Sequence, residues 1–163
     1  MNFDPSLPTS YEYIHYTGEN ITTLDLTRTY TQTVEKLALH TPNGLWLSIT
    51  GINDWEKHCL KNYHNLTNLK YEFQVKLKPR ANILILYNNA AFKNFEKKYG
   101  YYGKDRSRGF SIRWDEIIKK YQGLALPVIL PALNNRNPWY DTWNCTSACI
   151  WDLQAVEKID RLE

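Results

Sequence analysis

Between Tyr71 and Leu77 the chain alternates without a break, with Tyr71, Phe73, Val75 and Leu77 on one parity and Glu72, Gln74 and Lys76 on the other. Successive side chains of a strand point to opposite faces, so this segment requires a sheet with one buried and one wetted face. Residues 83–87 follow as an unbroken apolar run, which suits a strand covered on both faces. A chain holding both kinds of strand needs helices to cover what the sheet leaves open.

The rest of the sequence supplies them. Residues 11–17 alternate and are rich in aromatics, reading as a strand that ends at Gly18, and residues 29–39 look loosely helical. Pro42-Asn43-Gly44 is turn chemistry and leads into a strand over residues 45–49, with leucines on one face and Trp46 and Ser48 on the other. Asn53 with Glu56 three residues on reads as a helix cap, and Trp55, Cys59, Leu60 and Tyr63 form an apolar stripe behind it. Residues 90–99 read as a helix and residues 100–109, with three glycines among polar and basic residues, as an exposed loop. Trp114, Ile117, Ile118 and Tyr121 keep helical spacing up to the stop at Gly123. Residues 124–130 form an apolar strand that Pro127 marks as bulged or peripheral. An aromatic-rich loop over 134–143 and strands over 147–151 and 156–162 complete the chain. This order of elements is that of an α+β fold rather than alternating βαβ units.

At 163 residues the sequence has the size of one domain, 1–163, and its 43% apolar and 14% aromatic content excludes disorder. Cys59, Cys145 and Cys149 are odd in number and form no Cys-x-x-Cys pair, so a reducing compartment is expected, with neither disulfides nor a zinc knuckle. The three Asn-x-Thr triplets at Asn20, Asn65 and Asn144 are read as chance matches in a chain rich in both residues. No segment approaches the roughly 20 apolar residues of a membrane span, and the first ten residues have no signal-peptide pattern, so the expectation is a cytoplasmic protein, or one delivered into a host cytosol as an effector or toxin. His15, His40, His58 and His64 lack paired ligand spacing, and no metal is expected. Glycine-rich dinucleotide, phosphate-loop, serine-hydrolase and zinc-protease signatures are all missing.

Three short segments carry a resemblance instead. Tyr13-Ile14-His15-Tyr16-Thr17-Gly18, Gly44-Leu45-Trp46-Leu47-Ser48 and Thr146-Ser147-Ala148-Cys149-Ile150-Trp151-Asp152, followed by Gln154, Val156 and Leu162, resemble in order and content the motif strands of the ADP-ribosyltransferase superfamily, in its His-Tyr-Glu branch. Tyr121-Gln122-Gly123-Leu124 is similar to the Tyr-Asp-Gly-Ile helix end that often precedes the last motif. Trp46 stands where that branch has Tyr, and its catalytic Glu falls on Ser147 or Ala148.

The resemblance implies two small, roughly orthogonal mixed or antiparallel sheets forming an NAD-binding cleft flanked by short helices. It implies NAD as cofactor and transfer of ADP-ribose to a macromolecular acceptor, protein or nucleic acid, or to water. His15 would bond a ribose hydroxyl or neighbouring backbone, Trp46 would stack on the nicotinamide, and Ser48 would orient its ribose. Tyr16, Thr17, Gly18, Gly44 and Leu45 would complete the cofactor site. With Ser147 in the carboxylate's place, Asp141 is the preferred substitute, because Asp152 falls on the opposite strand face from Ser147. Trp139, Tyr140 and Trp143 are expected to be exposed and to contact the substrate or a partner. Two other readings stand beside this one. One is a catalytically silent relative that binds a nucleotide or a protein. The other is a nucleic-acid-associated module using the cations of the 104–113 segment and the aromatic loop.

Overall fold

The computed structural model describes residues 3–32, 41–62, 66–102, 110–130, 138–141 and 143–163. Most of the helix expected over 29–39, Tyr63 of the expected stripe and the centre of the basic segment lie outside them. The described elements are β1 (Tyr13–Thr17), β2 (Leu45–Ile49), α1 (Trp55–Asn62), a 3-10 turn (Leu66–Leu69), β3 (Tyr71–Leu77), β4 (Ile83–Ile85), α2 (Asn89–Tyr99), β5 (Gly100–Tyr102), β6 (Phe110–Ile112), α3 (Trp114–Ile117), β7 (Gly123–Leu126), α4 (Pro138–Asp141), β8 (Ser147–Ile150) and β9 (Val156–Arg161).

The fold is α+β. Seven strands form one mixed, curled half-barrel sheet in the order β4-β7-β8-β2-β1-β3-β9, in which β4 and β7 are parallel and the other neighbours antiparallel. The pair of small orthogonal sheets implied by the resemblance is therefore corrected to one continuous sheet plus a β5–β6 ribbon. The continuity is thin at one joint. β1 meets β2 through only two residue pairs, Tyr13 with Ile49 and Ile14 with Ser48, whereas β1 runs beside β3 for all five of its residues and β2 beside β8 for four. Beyond Ile14 the two strands are no longer paired.

Period-two alternation sorts the side chains into two cores. Leu45, Leu47, Ile49, Val75, Leu77, Ile85 and Ile150 pack together within the curl of the sheet. Leu124, Leu126 and Cys149, on the other face, pack under the helices with Phe92, Phe95, Trp114, Ile117 and Trp139. The second core is mostly aromatic. Trp139 stacks on Phe92 at 5.1 Å and meets Phe95 and Trp114 at 5.2 and 6.1 Å, contacts that add about 0.5–1.5 kcal/mol each to simple burial.

Local chemistry sets the ends of the elements. Asn88 caps α2 by accepting from the Ala91 N–H at 2.8 Å. The cap of α1 is Asp54 rather than Asn53: its Oδ1 accepts from the Lys57 N–H at 3.0 Å, and Ser48 Oγ accepts from the Trp55 N–H at 2.9 Å. Among the described residues of the expected α1 stripe, only Cys59 is buried; Leu60 is exposed. The expected loop after residue 99 begins as β5 and returns as β6. β7 is interior, between β4 and β8, and ends before Pro127, so that proline terminates the strand rather than bulging it. Among the described residues, no helix is long and apolar enough to cross a membrane.

Candidate functional site

Where β1 and β2 part, a cavity of about 450 Å³ opens, within the ordinary range of small-molecule sites. His15, Tyr16, Thr17 and Gly18 line it from β1 and its end; Trp46, Leu47 and Ser48 line it from β2. Asn144, Cys145 and Ser147 contribute from the start of β8, with Trp55 of α1 and Asn68 of the 3-10 turn closing the remainder. The imidazole, the indole and the hydroxyl that come from three distant parts of the sequence thus share one opening.

His15 occupies the split. Its Nδ1 lies 2.8 Å from the Trp46 carbonyl oxygen, a side-chain bond standing where strand pairing has stopped. A carbonyl only accepts, so Nδ1 carries the proton. Burial holds the imidazole below its ordinary range, against the smaller opposing effect of that hydrogen bond, so the ring is neutral at pH 7. Nε2 is then an unprotonated acceptor in a residue that lines the cavity.

Two serines face each other across the β2–β8 register, Ser48 against Ser147. Both are buried. Ser48 Oγ accepts from the Trp55 N–H, which leaves its own proton to donate elsewhere. Ser147 Oγ donates to the Cys145 carbonyl at 3.0 Å, which leaves its lone pairs to accept. One hydroxyl is set as a donor and the other as an acceptor.

The aromatic walls are anchored from behind. Trp46 is half-buried and packs at 4.7 Å on Trp143, so the indole is at once a cavity wall and part of the second core. Tyr16 carries a phenol held above its ordinary range, first by burial and then by the carboxylates of Glu56, Glu72, Asp54 and Glu12. It is a neutral donor in a negative field. Among the described residues that line the cavity, none is Asp, Glu, Lys or Arg. The Cys145 thiol is pushed up to about 12, chiefly by burial, which makes it a wall rather than a nucleophile.

No protein-family model, curated protein or solved structure matches this chain. The geometry therefore carries the functional reading.

Of the residues singled out in the sequence, His15, Tyr16, Thr17, Gly18, Trp46, Ser48 and Ser147 line the cavity. Gly44 and Leu45 do not. Leu45 is in the core within the curl, and Gly44 packs so closely on β8 that a Cβ would lie 2.6 Å from Cys149 Sγ. The expectation that Trp139, Tyr140 and Trp143 are exposed is corrected: they are 0, 1 and 3% exposed, because the aromatic face of the helices needs them as core. Trp139 Nε1 donates to Glu96 at 2.9 Å, and the Tyr140 hydroxyl accepts from the Leu130 N–H at 2.8 Å. Asp141 closes α4, and its side chain lies outside the described residues. Asp152 is spent on structure, accepting from the Gln154 N–H and from Gln122 Nε2, each at 3.0 Å. Among the described residues no group of three His, Cys, Asp or Glu side chains is placed to hold a metal.

Sequence reasoning missed Trp55, Asn68 and Asn144 as cavity residues. Trp55 belongs to the apolar stripe expected of α1, a pattern that marks packing rather than a cavity wall. The two asparagines had no signal in a chain this rich in Asn.

Proposed function

We propose that the cavity at the β1–β2 split binds NAD and that the protein is an ADP-ribosyltransferase-like protein. The observation that carries this reading is the convergence of His15, Trp46 and Ser147, one from each motif strand, on a single opening. The lining suits the nicotinamide riboside half of the dinucleotide: two indoles for a cationic ring, acceptors and donors for sugar hydroxyls, and a negative field from nearby carboxylates. The diphosphate half would rest on groups outside the described lining residues, since none of these is cationic.

In the transfer, the bond between the ribose anomeric carbon and the nicotinamide nitrogen would break with its electron pair leaving on the ring, positive charge would develop on the sugar, and an acceptor nucleophile or water would bond to that carbon and give up its proton to solvent. His15 Nε2 accepts from a ribose hydroxyl and fixes the sugar's orientation. Trp46 holds the ring plane, with Trp143 preventing the indole from yielding. The Ser48 hydroxyl donates and the Ser147 oxygen accepts near the reacting carbon. A neutral hydroxyl stabilises a cation less than a carboxylate does, and deleting a preorganised electrostatic partner elsewhere costs roughly 3 kcal/mol or more. Turnover is therefore expected to be slow.

Among the described lining residues there is no Asp or Glu, which favours a second reading, a silent relative that retains NAD without consuming it. Chromatographic detection of nicotinamide from purified protein and NAD separates the two. The transferase reading expects steady release, lowered in His15→Ala and in Trp46→Ala. Release unchanged in both variants overturns it. Saturable binding with no release establishes the second reading.

A further inference from the structure

A different corner of the molecule carries a surface that the NAD reading does not use. In the β5–β6 ribbon, Tyr101 pairs with Ser111 and stays 40% exposed on the face it shares with Arg113, whereas Tyr102 pairs with Phe110 on the opposite face. The Arg113 guanidinium lies 5.5 Å from the centre of the Tyr101 ring. The Arg113 N–H donates to the Tyr99 carbonyl at 2.8 Å, which ties the ribbon to the end of α2. There the Lys98 and Lys120 ammonium groups stand 5.2 and 5.8 Å from the centre of the Tyr99 ring.

Arg113, Lys98 and Lys120 are exposed, as are Lys97 and Lys119 beside them. None of the five is in a salt bridge among the described residues. The acids next to them in sequence are few: Asp115 and Glu116 in the first turn of α3, and Glu96, which accepts from Trp139 Nε1 in the core. An exposed ring set among cations matches a polymer that alternates phosphates with planar bases. An acidic protein segment would satisfy the cations and leave the Tyr101 ring uncovered.

We infer that this corner, built from Lys98, Tyr101, Arg113 and Lys120, binds single-stranded nucleic acid. The cations take phosphates and Tyr101 takes a base. A duplex does not serve, because its bases are already stacked on one another and present no free face to a side chain. None of these residues lines the cavity at the split, so the inference stands whether or not NAD is bound or consumed.

The test is fluorescence anisotropy of labelled oligothymidylate and oligouridylate with the full chain, between about 50 and 200 mM KCl. Binding to one or both is expected, weakening as salt rises. In Lys98→Ala/Arg113→Ala/Lys120→Ala the plot of log affinity against log salt is expected to become shallower by about two, since each phosphate contact to a single strand contributes about 0.7. Tyr101→Ala is expected to bind at least about fivefold more weakly at every salt concentration. All four side chains are exposed, so both variants should melt as the parent does. No binding at low salt, a slope unchanged in the triple variant, equal binding of a blunt duplex, or equal competition by polyglutamate would each overturn the inference. The duplex and polyglutamate measurements need only the parent protein.

Discussion

His15 decides the site's chemistry through its two nitrogens, and the two can be separated. His15→Asn keeps a donor near the Nδ1 position for the Trp46 carbonyl but removes Nε2. The variant is expected to fold and to bind NAD about 3- to 10-fold more weakly in a calorimetric titration, the worth of one hydrogen bond to a neutral partner. The lowered pKa also has a stability consequence. An imidazole held neutral in the fold binds fewer protons than in the unfolded chain, so its contribution is complete above the ordinary value of 6.5 and is lost as pH falls through the depressed folded value. The melting temperature should therefore fall below about pH 6.5, with a smaller fall in His15→Asn. Cys145 makes a prediction of opposite kind. A buried thiol with its pKa pushed up to about 12 is almost entirely protonated at neutral pH, so iodoacetamide should leave it unmodified in the folded protein and label it after denaturation.

Among the elements, α1 and β2 depend on each other through Ser48 and Asp54. Burial pushes the Asp54 carboxyl up, but hydrogen bonds from the Lys57 side chain, the Lys57 N–H and the Gly51 N–H outweigh it and hold the group below its usual range. Asp54→Ala removes the cap and is expected to cost about 1 kcal/mol in urea denaturation. Gly44→Ala should cost about 1–3 kcal/mol, because its Cβ would meet Cys149 Sγ and the Ile150 carbonyl oxygen, each at 2.6 Å, and β2 cannot move from β8 without opening the core. Most elements were legible in the sequence because their periodicity is set by burial of one face: β2 and β3 begin and end where alternation begins and ends. The α1 cap was misread by one residue, because Asn53 and Asp54 are both good caps and only tertiary contact with β2 chooses between them. Within the 134–143 segment, Pro138–Asp141 form a helix and Trp139, Tyr140 and Trp143 are buried, against the expectation of an exposed loop. Its Pro and Asn residues signal a loop, yet its indoles are the largest apolar surfaces nearby, and burial overrides local turn chemistry.

At the scale of the whole molecule, the central feature is a sheet that stays continuous while nearly dividing. Two residue pairs join β3, β1 and β9 to β2, β8, β7 and β4, and the cavity lies just past that joint. The motif strands were readable because each is short and local. That His15, Trp46 and Ser147 share one opening was expected through the resemblance and not from periodicity, since it depends on β8 returning from about a hundred residues away to pair with β2, and on β1 parting from β2 after Ile14. The two-sheet expectation is replaced by one seven-stranded sheet, because β1 pairs with β2 at Tyr13 and Ile14. Binding between the halves predicts that NAD protects the amide protons of Tyr13–Thr17 and Leu45–Ile49 from exchange more than those of β9. The most direct measurement is a calorimetric titration of NAD into the parent protein, His15→Asn and Trp46→Ala. Saturable binding at one site per chain, weakened in both variants, is the predicted result; no saturable binding, or equal binding by all three proteins, would contradict it.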